Sequence, residues 1–282
     1  MYSVIIPTYN RHSDLYKCLS CFSEYFTVPE SGEQPFTVEV IVSDDAKQNE
    51  LKEYLSANFP WVRYFEGPSR GPAANRNNGA AQAKGEWLVF TDDDCLPGRG
   101  WLHSLHDMAN QATVLEGKTI AERPRERLDE ESPINFGGYL WSCNFAIKKS
   151  LFDSLHGFDE NFPFAAMEDM DLKKRIDDEG AKIIFVPNAV VTHPWRRSRG
   201  MAFWGKQQKS EFYFWEKHKN LAPASLPRYY AYLGLRSLVK ITIPGALKYR
   251  CRGLRNAIEH DAWLFSQSLR FLLRRPPKSS RG

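Results

Sequence analysis

Three consecutive carboxylates, Asp92-Asp93-Asp94, follow the apolar run Trp87-Leu88-Val89-Phe90 almost at once. A buried strand that runs into stacked negative charge calls for a cation, because neighbouring carboxylates oppose one another's ionisation. Residues two apart in extended chain share a side, so Asp92 and Asp94 face one site while Asp93 turns aside. Oxygen donors of this kind suit Mg²⁺ or Mn²⁺, whose coordination is commonly divided between carboxylate and substrate phosphate. A solvated acidic turn is the plainer alternative for this stretch taken alone. A second acidic pair, Glu168-Asp169, opens a run that reads as a helix, where the macrodipole favours anions. Capping by itself accounts for such a pair. His193 closes the apolar run Val190-Val191-Thr192; a neutral imidazole there either ligates a metal or is simply hydrogen-bonded.

The elements that must carry these groups alternate. Short apolar runs at 4–6, 38–42, 62–65 and 88–90 are each followed by a helix-like stretch, at 12–26, 48–58, 72–84 and 99–110. This is the rhythm of a mostly parallel sheet with helices on its faces, and ligands of such sheets bind beyond the carboxyl ends of the strands. Further strands are expected at 113–120, 145–147, 183–186 and 189–191, with a helix at 168–179. The charged, proline-bounded stretch 123–132 reads as a mobile loop.

The formal charge of +4 over 282 residues conceals an asymmetry. Residues 1–195 hold 19 Lys/Arg against 30 Asp/Glu, a balance of −11, and residues 196–282 hold 19 against 4, a balance of +15. We therefore expect two parts, a catalytic body over 1–195 and a mainly helical basic extension over 196–282. An acidic body suits cations, and a basic tail suits phosphate-bearing partners. The five cysteines are irregularly spaced and give no disulfide framework. Cys18 and Cys21 form a single C-x-x-C on a stretch that reads as helix. The N-terminus begins on a strand pattern rather than a signal sequence, and no apolar run reaches the ~18–20 residues of a spanning helix. The expected location is cytoplasmic, peripheral on the cytoplasmic face of the membrane.

Taken in order, the motifs resemble those of family 2 glycosyltransferases. Val4-Ile5-Ile6-Pro7-Thr8-Tyr9-Asn10-Arg11 is similar to the family's opening strand and nucleotide loop, and Val40-Ile41-Val42-Ser43-Asp44-Asp45 to the next strand with its acidic pair. The family usually continues with Gly-Ser, where this chain has Ala46-Lys47. Asn75-Arg76-Asn77-Asn78-Gly79 looks like the family's Arg-Asn-x-Gly segment, and Asp92-Asp93-Asp94 stands in the place of its Asp-x-Asp. Cys143-Asn144-Phe145 and Gly157-Phe158-Asp159-Glu160 resemble the approach to the catalytic acids. Glu168-Asp169-Met170-Asp171-Leu172-Lys173-Lys174-Arg175 is similar to Glu-Asp-x-Asp-Leu-x-x-Arg. The resemblance covers roughly residues 2–193.

It implies a GT-A fold and an inverting, metal-dependent transfer of a sugar from a nucleoside diphosphate donor to an acceptor hydroxyl of a growing glycan or lipid-linked saccharide. Asp169, beside Glu168, is then the base; Asp92, Asp94 and His193 hold Mn²⁺ or Mg²⁺. Pro7, Thr8, Asn10, Asp44, Asp45, Arg76, Asp92 and Asp93 form the donor nucleotide site. A carboxylate at Asp44 or Asp45 favours a UDP donor through the uracil N–H, a donor group that guanine and thymine also offer. After residue 195, aromatic and basic residues interleave, and 229–247 is apolar but broken by Arg236 and Lys240. Such a segment suits a membrane surface, a helical cap or an oligomer contact; nucleic acid is not an expected partner. The competing readings are a non-catalytic sugar-nucleotide-binding or membrane-surface protein and a sugar nucleotidyltransferase. The last lacks its phosphate loop here, because Pro7-Thr8-Tyr9-Asn10 stands after the first strand.

Overall fold

The computed structural model describes residues 1–26 and 36–273. In chain order the elements are β1 (Tyr2–Thr8), α1 (His12–Ser20), β2 (Val38–Asp44), α2 (Asn49–Asn58), β3 (Val62–Glu66), α3 (Pro72–Ala81), β4 (Trp87–Phe90), β5 (Leu96–Pro97), α4 (Trp101–Met108) and β6 (Val114–Ala121). There follow β7 (Glu130–Glu131), β8 (Phe145–Lys148), α5 (Lys149–Ser154), α6 (Glu168–Asp178), β9 (Ile183–His193), β10 (Arg196–Arg197), α7 (Met201–Lys217), α8 (Leu226–Ser237), α9 (Ile243–Lys248) and α10 (Leu254–Leu273).

Met1–Glu122 and Ser132–Pro194 form one compact unit; Arg123–Glu131 and the chain from Trp195 onward form another. The first unit is built on an eight-stranded sheet in the order β3-β2-β1-β4-β8-β6-β9-β5. The first four strands run parallel, as does β6 with β9, while β8 is antiparallel to both its neighbours. Side chains alternate across the sheet as the pleat requires. Val4, Ile6, Val40, Val42 and Val89 enter one apolar layer, and Ile5, Ile41, Leu88 and Phe90 the other. Helices cover these layers with apolar residues at helical spacing: Leu15, Cys18 and Leu19 of α1, Leu51 and Leu55 of α2, Trp101, Leu102 and Leu105 of α4, Leu172 and Ile176 of α6. This is a mixed α/β fold with a large, mostly parallel sheet flanked by helices.

Gly79 lets α3 lie close to the sheet. A Cβ at that position would come within 2.7 Å of Ile5 Cγ2.

Three local expectations are corrected. The helix expected over 12–26 ends at Ser20 and is followed by a 3₁₀ turn at Ser23–Tyr25. The two runs at 183–186 and 189–191 are one strand. Its register against β6 shifts so that Val186 pairs with Gly117 and Val190 with Lys118, which pushes Pro187 and Asn188 out to solvent. A bulge accommodates the proline within the strand. The stretch read as a mobile loop is pinned within the second unit. There Glu130 and Glu131 pair with Arg197 and Arg196, and the Glu130 carboxylate accepts from Arg123 and from the Glu126 and Arg127 amides. The Arg123 hydrogen bond, outweighing burial, holds that carboxyl down at about 2.

The helices of the second unit share an aromatic core. Tyr229 and Tyr230 of α8 both donate to Glu211 of α7, at 3.0 and 2.8 Å. Tyr230 lies parallel to Phe271 of α10, and Phe265 packs over Gly234. A π-helical turn at Leu238–Thr242 joins α8 to α9.

Candidate active site

Strand β1 ends at Thr8, in register with Asp44 at the end of β2, and the Asp45 amide donates to the Thr8 carbonyl at 3.0 Å. The residues assigned to the nucleotide thus meet at adjacent strand ends. Each carboxylate of the acidic pair organises the turn that follows it. Asp44 accepts from the Ala46 and Gln48 amides and from the Tyr64 hydroxyl; Asp45 accepts from the Ser69 and Gly71 amides. Burial lifts the Asp45 carboxyl despite those two amides. A carboxylate has about four lone-pair positions, so both retain capacity for a further donor. Asn10, at positive φ, accepts from Gln48 at 2.6 Å, and the buried Asn75 of α3 donates to the main chain of Thr8 and Ser43, tying β1 to β2.

The three aspartates do not lie on extended chain. The backbone turns at Asp93 and Asp94, and the Cys95 amide returns to the Asp92 carbonyl at 3.1 Å. Alternation therefore fails as the reason for their grouping, yet Asp92 and Asp94 do converge, because the turn folds both carboxylates to one side. Their oxygens lie with His193 Nε2 or Nδ1 and Cys95 Sγ in a set of donor atoms all within 4.8 Å of one another. Asp93 faces inward instead, accepting from the Thr8 hydroxyl at 2.8 Å and from Arg11 at 3.0 Å. Burial pushes its carboxyl up to about 6 against the pull of Arg11.

His193 ends β9 and is buried. Its Nδ1 lies 2.7 Å from the Pro194 carbonyl, which can only accept, so Nδ1 carries the proton. In the neutral ring the Nε2 lone pair then faces Asp94 Oδ1 at 3.7 Å. Two electron-rich atoms opposed in a buried site fit a cation placed between them, and a carbonyl on the far nitrogen is the usual orienting partner of a ligating imidazole.

Arg76 joins this cluster to the second acidic pair. Held on α3 and buried, it reaches Asp92 at 2.7 Å and Glu168 at 3.7 Å. Burial works against its charge, but Asp92, Asp169 and Glu168 together hold it firmly protonated. Its Nε and Nη1 make no hydrogen bond among the described residues. Glu168 and Asp169 open α6, where the preceding Met167 is left-handed, at φ 74°. Burial and the neighbouring Asp169 push the Glu168 carboxyl up to about 7, against Arg76; burial likewise raises Asp169. Asp169 Oδ2 accepts from the Ser142 amide at 3.0 Å. Asp169 Oδ1 and Glu168 Oε2, shut off from solvent, have no hydrogen-bond partner among the described residues. The site so assembled can hold a cation at one end and accept a proton at the other.

Several contributors carried no role in the sequence reading. Arg11 was visible as the last residue of the opening motif, and Cys95 as the residue after the three aspartates. Asn77 of α3 binds the segment before the acidic pair, exchanging hydrogen bonds with both main-chain groups of Phe158. Cys18 donates to the Asp92 carbonyl and is buried, its thiol raised by that burial, which gives the C-x-x-C a structural duty.

Comparison with known proteins places this arrangement. The chain is 31% identical over 180 residues to a GalNAc(5)-diNAcBac-PP-undecaprenol beta-1,3-glucosyltransferase of Campylobacter jejuni, an alignment covering 57% of this chain and 55% of that protein. The chain thus spans about half the length of this curated relative. Among solved structures, the mannosyltransferase PcManGT of Pyrobaculum calidifontis, in complex with GDP-Man and Mn²⁺, superposes with a TM-score of 0.54 at 20% identity, covering 96% of this chain and 73% of that one. TarS of S. aureus with UDP-GlcNAc gives 0.53 at 19% identity over 95% and 71%. These likenesses show the GT-A fold. The sequence profile described as Glycosyl transferase family 2 matches residues 3–175, and the chain belongs to that family.

Proposed function

We propose that the protein is an inverting glycosyltransferase that moves a sugar from a UDP-sugar to a hydroxyl of a growing glycan or lipid-linked saccharide. The observation that carries this reading is the single buried network in which Asp92, Asp94 and His193 converge and Arg76 links Asp92 to Glu168 and Asp169. Asp94, Asp92 and His193 are the residues to hold Mn²⁺ or Mg²⁺, which as a Lewis acid stabilises the charge of the departing diphosphate. Asp169 Oδ1 takes the proton of the attacking hydroxyl while the bond from the anomeric carbon to the phosphate oxygen breaks on the opposite face, inverting the configuration. The Ser142 amide fixes the other oxygen of Asp169, so the base is aimed before substrate arrives. Arg76 keeps Asp92 and Glu168 from repelling one another out of position.

The UDP preference draws on the acceptor capacity left at Asp44 and Asp45 and on the UDP-GlcNAc bound by TarS. The lipid-linked acceptor draws on the undecaprenol substrate in the Campylobacter relative's name. Among the described residues no helix is long and apolar enough to cross a membrane. The helical run from 226 to 248 instead leaves Tyr232, Leu235, Val239, Ile243 and Leu247 exposed, with Arg236, Lys240 and Lys248 beside them. Such a face lies on an anionic bilayer, each near-surface cation contributing about 1 kcal/mol. All five cysteines are free, as suits the cytoplasmic side.

Thermal denaturation with UDP, GDP, dTDP and CDP, each with Mn²⁺, Mg²⁺ or EDTA, tests the donor site. Metal-dependent stabilisation by UDP above the others is expected, about 2.7 kcal/mol at 100 times the dissociation constant. Stabilisation without hydrolysis or transfer of any UDP-sugar would favour the non-catalytic reading. Sedimentation with phosphatidylglycerol vesicles but not phosphatidylcholine vesicles is expected, and loss of binding on Leu235→Glu.

A further inference from the structure

A buried carboxylate outside the catalytic network points to where the acceptor lies. Glu116 sits in the middle of β6 and is almost fully buried. Its carboxylate accepts from Asn135 Nδ2 at 2.7 Å and from three consecutive main-chain amides: Gly138 at 2.8 Å, Tyr139 at 2.8 Å and Leu140 at 2.7 Å. The chain so gathered turns left-handed three times. Gly137 and Gly138, at φ 108° and 105°, do so freely, whereas Leu140, at φ 53°, does so at a cost of about 1–2 kcal/mol. Gly137 also lies against the Phe185 ring, leaving little room for a side chain.

Aromatic rings of this segment stand at the surface. Leu140 is driven into the core, while Tyr139 stays 50% exposed and Phe136 66% exposed. Tyr139 lies parallel to Trp141, ring centres 5.2 Å apart and planes 3° apart. Trp141 packs against the core layer beneath it, so the pair is a backed, flat, apolar face. The next residue, Ser142, donates its amide to the base Asp169. Three residues of chain, at most about 11 Å, separate Tyr139 from the group that aims the base.

We propose that Tyr139, stacked on Trp141, is the platform on which the sugar ring of the acceptor lies when its hydroxyl meets Asp169. A pyranose has an apolar C–H face that buries against an aromatic ring and a polar edge of hydroxyls, which matches a flat ring pair immediately before the amide that holds Asp169. The proposal rests on the glycosyl-transfer reading above and names the substrate class at its acceptor side: a saccharide end rather than a peptide or a bare lipid phosphate.

The test uses the full chain with UDP and Mn²⁺ and, as probes, the octyl β-glycosides of glucose, galactose, N-acetylglucosamine and N-acetylgalactosamine. Saturation-transfer NMR is expected to mark the ring C–H protons of at least one glycoside. Tyr139→Ala should weaken that glycoside roughly tenfold, equivalent to about 1.4 kcal/mol, with Tyr139→Phe restoring it. The UDP-induced thermal shift should be the same in all three proteins, which separates loss of the platform from loss of the fold. Unchanged binding in Tyr139→Ala, or no ring signal from any glycoside in a chain that still binds UDP, overturns the platform. Absence of a shift with any of UDP, GDP, dTDP and CDP in the unaltered chain removes the glycosyl-transfer reading and the platform with it.

Discussion

Glu116 and Glu168 are both buried glutamates of the first unit, yet their surroundings differ in kind. Glu116 is saturated by one side-chain amide and three main-chain amides. Glu168 faces another carboxylate, reaches a shared arginine at 3.7 Å and keeps one oxygen without a hydrogen-bond partner among the described residues. Hydrogen bonds to the charged form stabilise it, whereas burial beside a like charge opposes it. Burial alone therefore does not mark a reactive acid. The supply of donors separates the two: Glu116 holds a loop, whereas the pair at 168–169 keeps two oxygens without a donor among the described residues, as the proposed base requires.

Substitutions should divide along the same line. The largest effect is expected at Asp169→Asn, which removes the proposed base and should lower kcat by about 10²–10⁴-fold while UDP with Mn²⁺ still raises the melting temperature. Ordinary turnover in that variant would break the comparison at its reactive end. Glu116→Gln comes next: an amide nitrogen now faces main-chain donors, and roughly 3 kcal/mol of stability should be lost in denaturant titration, with faster hydrogen exchange at 138–140.

Glu168→Gln should have the opposite sign. Burial and Asp169 lift the folded pKa of Glu168 from its ordinary 4.5 to about 7, so the folded chain binds the proton more tightly than the unfolded chain. Metal-free stability contributed by this group is then greatest below about pH 4.5 and falls as the pH rises to about 7. The glutamine variant should lose that slope and gain on the order of 1–2 kcal/mol at pH 8 in EDTA. A destabilised Glu168→Gln would place both glutamates in the same structural class. The smallest change is expected at Lys149→Ala, whose exposed partner Asp153 lies one helical turn away; less than about 0.5 kcal/mol should follow.

Most of the site was legible because its chemistry stands in short runs at strand ends. Thr8, Asp44 and Asp92 each follow a buried apolar run, and once the strands are parallel and adjacent these ends must meet. What pairs with what was not legible, since it depends on strand order. Arg11 finds Asp93 82 residues away only because β1 lies beside β4. Glu116 did leave a signal in Val114-Leu115-Glu116-Gly117, a charge inside a buried strand that demands partners. Those partners are main-chain amides, which no residue type announces. The period-two reasoning expected Asp92 and Asp94 to converge, and they do so through a different backbone, because a turn and an extended strand can both bring alternate carboxylates together.

The hydrogen bonds between Asn77 and Phe158 bear on how the protein is made. They join residues 81 positions apart, and at about 5–20 residues per second of synthesis the later partner emerges some 4–16 s after the first. Throughout that interval a nascent chain can already possess its nucleotide-side strands but not the segment that seats α6 and its two acids. Because His193, which converges with Asp92 and Asp94, emerges later than Asp169, the proposed site is not complete at both ends until β9 has been made.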